Sequence, residues 1–244
     1  RLALRDDLQS KISRRASLQE VMDGLESHDH SVREAVELVE QEGGGLLEGL
    51  LIDYIECPEP YEKALAAVLN DRLQALIVKN RKSGLKLLGL LKERDMGQVT
   101  VLAKNGLKGG EAEDSIISDP AIIGPLSEFI EVHKDAREFT ARLLSGVYIA
   151  KDIKLAEKLW HAHKSEAAFV TLDGQLLEAN GVMRGGRGTS AEAHLLGQKR
   201  QIRELGAEIE DVSKKRDELD EKFEALKDEL NLRREAGESA RLEA

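Results

Sequence analysis

From Leu195 to Leu230 apolar residues return at alternating intervals of three and four, and this pattern limits what the chain can fold into more than any other. With Leu195, Ile202, Ile209, Arg216, Phe223 and Leu230 at a, the d positions are Gln198, Leu205, Val212, Leu219 and Leu226, and nine of these eleven are apolar. A seam of that period is buried only against another helix, so the segment predicts a coiled coil rather than a globular core. Runs such as SKKRDELDEK lie between the seam residues and solvate the outer face through ion pairs three or four places apart. At ~1.5 Å of rise per residue the helix reaches roughly 50 Å or more.

The other end of the chain supplies a partner for that seam. Leu4, Leu8, Leu18, Met22 and Leu25 fall on a four-three register that Lys11 and Arg15 interrupt, which predicts a second amphipathic helix. One helix entering a compact middle and one leaving it can bury their seams against each other as an antiparallel intramolecular coiled coil. Asp29 or Ser31 is placed to cap a further short helix over VREAVELVEQ, which Gly43, Gly44 and Gly45 stop. The expected organisation is an N-terminal arm over 1–42, a globular part over 43–190 and a C-terminal arm over 191–244. Heptads already run at Arg1, which is not a methionine, so the chain is expected to be a piece of a longer polypeptide.

The globular part has mixed periodicity. YEKALAAVL, LKLLGLLKE, EFTARLLS and IKLAEKLWHAH have helical spacing, whereas LQALIVK, QVTVLA and GVYIA are short β-rich runs. AFVTLDG and QLLEANGV read as two strands turning at Asp173-Gly174, a favoured hairpin pair. These elements make two small α/β halves, about 43–125 and 126–190, whose similarity to each other does not amount to a sequence repeat. The fold class is therefore α/β (α+β), two subdomains with short mixed sheets between coiled-coil arms.

Chemistry-bearing motifs are few. Cys57 is the single cysteine, so there is no disulfide framework and no cysteine-based zinc site, and the reducing cytoplasm is the default location. No run approaches the roughly 20 apolar residues of a membrane-spanning helix, so a soluble chain without a membrane partner is expected. His161 and His163, like His28 and His30, lack the spacing that puts two ligands on one helix face, and no metal site is expected. There is no G-x-S-x-G and no cysteine nucleophile motif, so no catalytic residues are assigned.

The glycine-rich stretch GVMRGGRGT, just before the last helix, allows three readings. Gly181 and Gly186 have the spacing of a phosphate loop, but Arg187 stands where its lysine belongs and Gly188 where its hydroxyl belongs. The cluster can instead be a turn with positive φ, or a bare backbone that another strand or subunit approaches closely. A net charge of -10 argues against a surface that coats nucleic acid uniformly. Between Lys79 and Lys108, however, eight cations face only Glu93 and Asp95. Lys79, Arg81 and Lys82 there, with Arg184, Arg187, Lys199 and Arg200 near the root of the last helix, are candidates for salt-sensitive contacts to DNA phosphates.

Four blocks in order, YEKALAAVLNDRLQALIV, GLKLLGLLKERDMGQVTVLA, LLSGVYIAKDIKLAEKLW and AFVTLDGQLLEANGVMRGGRG, resemble the hinge of the structural maintenance of chromosomes (SMC) family with the adjoining ends of its coiled coil. The T-x-D-G hairpin followed by Gly181 and the Gly185-Gly186 pair is the most specific part of the resemblance. NDRLQ departs from it, since the family commonly has a glycine near that helix end. The resemblance implies a dimerisation hinge that joins two protomers into a ring acting on DNA in chromosome condensation and segregation, in a cytoplasmic, nucleoid-associated protein. Gly181, Gly185, Gly186 and Gly188 are then expected at a homodimer contact, with non-specific DNA binding nearby. The ATPase heads, with their ATP and magnesium, and the sites for accessory subunits would lie outside this chain, which is expected to need no cofactor. A stand-alone DNA-binding protein or a degenerate phosphate-loop protein is the competing reading.

Overall fold

The computed structural model describes residues 2–25, 30–41, 45–105, 118–163, 167–186 and 190–242. Asp29, Gly43, Gly44, Lys108, Arg187 and Gly188 lie outside the described residues. The chain forms two compact units, one of Met22–Arg200 and one of Arg1–Val21 with Gln201–Ala244. The helix α2 (His30–Gln41) lies within the unit of Met22–Arg200. Its Val32, Ala35, Leu38 and Val39 pack with Leu76, Val78, Leu87 and Leu91.

In the globular unit, a three-stranded sheet has the order β1 (Leu47–Leu50), β3 (Leu76–Val78), β4 (Val101–Ala103), with α3 (Glu62–Leu69) and α4 (Arg81–Glu93) between its strands in sequence. A five-stranded sheet has the order β10 (Met183–Arg184), β9 (Leu176–Leu177), β8 (Ala168–Val170), β7 (Val147–Ala150), β5 (Ile122–Pro125). Helices α5 (Arg137–Leu143) and α6 (Ile153–His163) belong to this second half. The short strands β2 (Ile55–Glu56) and β6 (Glu131–Val132) pair antiparallel and join the halves.

The two halves repeat one topology. In each, the first strand pairs antiparallel with a central strand that pairs parallel with the next: β1–β3–β4 and β5–β7–β8. Both first strands shift register at a glycine, and each glycine lies under an aromatic ring. A Cβ on Gly49 would stand 3.1 Å from the Tyr54 ring, and one on Gly124 would stand 2.9 Å from the Phe129 ring. A 3-10 turn, a two-residue strand, a second 3-10 turn and a helix follow in the same order. The sequences differ because the duplicated property is a backbone path, which many apolar residues can line.

One departure from the duplication is that the second half adds the β8–β9 hairpin and β10. As the sequence predicts, β8 and β9 turn at Asp173-Gly174, where Thr171 N bonds to Gln175 O at 2.8 Å and the Gly174 φ is +88°. In the first half nothing is paired to the outer edge of β4 among the described residues.

The end of α3 answers the departure noted at NDRLQ. Asn70 takes φ 48° and ψ -132°, a conformation glycine adopts far more readily than a residue with a Cβ. Relief of that strain exceeds the added chain entropy of glycine, so Asn70→Gly is expected to stabilise the globular unit by about 1 kcal/mol. Thermal unfolding checks it, and an unchanged or lower midpoint would show that the loop is relaxed as it stands.

The last helix, α7 (Ala191–Leu242), begins at Ser190, whose Oγ accepts from Ala193 N at 3.1 Å. Its first turns are bound to the globular unit by consecutive cations. Lys199 Nζ donates to Ile52 O and to Asp53 Oδ1, both at 2.6 Å, and Arg200 Nε donates to Glu62 Oε1 at 2.7 Å. Glu62 is itself buried, so the bond to Arg200 supplies the opposite charge that its carboxylate needs there. In the other unit α1 (Leu2–Leu25) and the later part of α7 face each other, with Leu8 and Leu205 buried and Lys11 paired to Glu208. The Glu208 carboxylate raises the Lys11 pKa by that hydrogen bond. Since α1 leads into the globular unit and α7 leaves it, the paired helices run in opposite directions. Among the described residues no helix is long and apolar enough to cross a membrane.

Candidate oligomerisation surface

The glycines of the GVMRGGRGT stretch divide by what surrounds them. Gly181 has φ +86°, and a Cβ there would stand 3.3 Å from the Trp160 ring, whose Nε1 donates to Ala179 O at 3.1 Å. Its N–H also bonds Glu178 O at 2.8 Å, closing the turn between β9 and β10. Gly181 therefore has a full intramolecular reason to be glycine. Gly185 and Gly186 do not. Neither has a positive φ, a Cβ on Gly185 would make ordinary contact with Gln175 at 3.4 Å, and one on Gly186 would meet nothing within 4 Å. Both are exposed, and they line a recess of about 300 Å³ with Lys63, Asn70 and Asp173.

The spacing that resembles a phosphate loop does not make one. Met183 and Arg184, between Gly181 and Gly186, pair with Leu177 and Leu176 as β10, so their backbone belongs to a sheet rather than to a loop opening a helix.

Two sheet edges end in exposed apolar side chains. At the end of the five-stranded sheet, β10 has one paired edge, with Val182 47% and Met183 66% exposed. In the first half, β4 borders a groove of about 460 Å³ lined by Arg81, Gly84, Leu85, Leu88 and Val101–Ala103. Leu85 is 72% and Leu88 47% exposed, while Leu87 and Leu91 on the other side of α4 are buried. An uncharged strand edge flanked by exposed leucines is a template for another strand. The sequence reading missed this surface, although LKLLGLLKE holds more leucines than one buried helical stripe can use.

The candidate cations are not equivalent either. Lys79, Arg81 and Lys82 are exposed at the start of α4, which Asn80 caps by accepting from Ser83 N at 2.9 Å. Arg184 is paired to Glu178 at 2.9 Å. Lys199 and Arg200 are held by Asp53 and Glu62, so a phosphate would have to displace a carboxylate from each. Lys104, just past β4, is paired to Glu48 and lies 5.4 Å from the centre of the Tyr54 ring; the Glu48 hydrogen bond raises its pKa.

Comparison with known proteins relates part of the chain to a described family. Residues 45–160 match the family described as SMC proteins Flexible Hinge Domain. The chromosome partition protein Smc of Desulfitobacterium hafniense is 28% identical over 227 residues, which is 91% of this chain and 19% of that protein. That of Bacillus subtilis is 25% identical over 227 residues, 91% of this chain and 18% of the relative. The chain thus spans about a fifth of the length of these relatives. Among solved structures, the asymmetric dimer of the Geobacillus stearothermophilus SMC hinge domain superposes with a TM-score of 0.63 at 22% identity, covering 90% of this chain and 94% of that one. The Pyrococcus furiosus SMC hinge domain gives a TM-score of 0.53 at 25% identity, covering 71% and 93%.

Proposed function

We propose that this chain, whose residues 45–160 match the flexible hinge domain of the SMC family, joins two copies of itself, each lending the β4 edge to one contact and the β10 edge to the other. The observation that carries this is the pair Gly185 and Gly186, bare where nothing in their own chain requires it. The internal duplication supports the same arrangement. The edge of β8 is covered by β9, while its counterpart β4 is open, so a strand from outside would restore in the first half what the hairpin supplies in the second. An edge given and an edge received, repeated about a two-fold axis, close on themselves and stop at two copies. Sedimentation equilibrium tests this: the expected mass is near twice 27.0 kDa, and a mass near the single-chain value at every concentration would overturn it.

On the same premise the parent protein is assigned to chromosome partition, which the relatives' names give for them, and its place to the cytoplasm. This chain would be its joining element, while ATP hydrolysis would reside in heads and accessory partners would bind elsewhere, both outside it.

A second role, weak and sequence-independent DNA binding, is supported by the exposed cations at the start of α4. Changing Lys79, Arg81 and Lys82 together to Glu is expected to weaken binding of a short duplex at least tenfold in low salt, read by fluorescence anisotropy. Equal binding by the wild type and the triple variant would remove the role from this surface.

A further inference from the structure

The chain has four sulfur atoms, in Cys57 and three methionines, and they differ sharply in access. Cys57 is 4% and Met22 8% exposed, and Met96 is half-buried. Met183 is 66% exposed, on a strand of two residues with a free edge and beside the bare Gly185. A reagent that attacks sulfur from solvent therefore meets one site first. That site lies on the surface assigned above to the contact between copies, and the inference rests on that assignment.

We propose that Met183 is an oxidation site through which peroxides control association of the two copies. The thioether sulfur attacks the terminal oxygen of the peroxide. The O–O bond breaks, an S=O bond forms, and the peroxide leaves as water or an alcohol, its oxygen reduced as the sulfur is oxidised by two electrons. The product is a polar sulfoxide where an apolar side chain had been available to enter the Leu85–Leu88 groove of a second copy. Oxidation takes place on dissociated chains, where the β10 edge is open, and it holds them apart. Reductive repair of the sulfoxide restores the contact, because the lesion is reversible by reductases.

The experiment treats dilute protein with hydrogen peroxide, locates the added oxygen by peptide mass spectrometry, and then measures the dimer dissociation constant by sedimentation equilibrium. Met183 is expected to gain oxygen before Met22 and Met96, and the dissociation constant to rise at least tenfold. Met183→Leu should dimerise like the wild type and be indifferent to peroxide, and Met183→Gln should be weakened without it. A Met183 sulfoxide that leaves the constant unchanged overturns the proposal while the dimer reading stands, as does earlier oxidation of Met22 or Met96. An untreated wild type that is monomeric overturns the dimer reading itself, and this one with it.

Discussion

The double variant Gly185→Glu, Gly186→Glu is expected to be a folded monomer. Folding should be nearly unaffected, because both positions are exposed, neither has a positive φ, and a Cβ at either finds ordinary contact or open space. Association should fail, because each contact would have to bury two carboxylates beside a groove whose one lining cation, Arg81, can neutralise at most one of them. Desolvation and like-charge repulsion of that kind cost several kcal/mol, so the dissociation constant should rise by roughly a thousandfold or more. Sedimentation equilibrium gives the mass and circular dichroism the fold. A folded double variant that still dimerises would move the contact elsewhere, the coiled-coil arms being the next place to look.

Gly181→Val should do the reverse, weakening the fold while leaving association intact in whatever remains folded. A β-branched residue at φ +86° costs about 1–2 kcal/mol in backbone strain alone. Its side chain would also press on the Trp160 ring, displacing it from the bond to Ala179 O. Together these should remove about 3 kcal/mol, or roughly 10 °C of thermal midpoint in a unit of this size. The two variants would thus separate three glycines that look alike in one sequence stretch into one that serves the fold and two that serve the contact. An intact midpoint in Gly181→Val, or a loss of dimer without loss of stability, would assign Gly181 to the contact as well.

Most of the secondary structure was legible because its causes are local. The helices at Glu62, Arg81, Arg137 and Ile153 and the strands at Leu76, Val101, Val147 and Ala168 each follow from residue spacing and β-branched content. The hairpin at Asp173-Gly174 follows from the φ that Gly174 supplies. The strands at Leu47, Ile55, Ile122, Glu131 and Met183 were not legible. Charged residues, glycine or proline interrupt each of them, so no β-rich run shows, and they exist because another strand is there to pair with. The duplication of the two halves was hidden for a related reason: the shared property is a path of the backbone, marked only by Gly49 under Tyr54 and Gly124 under Phe129.

The surface was legible in part. Bare glycine at 185 and 186 could be read as a close-approach site, but not told from Gly181, since φ and neighbouring rings are not written in a run of letters. Lys199 and Arg200 looked like free cations, and their carboxylates at Asp53 and Glu62 come from more than a hundred residues away in the chain. Leu85 and Leu88 carried a signal in the leucine excess of α4, whose meaning depends on which side of the helix the sheet covers.

By itself the sequence determined the arms, the α/β character of the middle and its likeness to a hinge, because heptad period, β-branched runs and turn residues act over a few neighbouring positions. Only the tertiary structure decided which glycine serves the fold, which cations are already neutralised and which strand edges stay open, because each of these depends on groups that meet only after distant parts of the chain have packed.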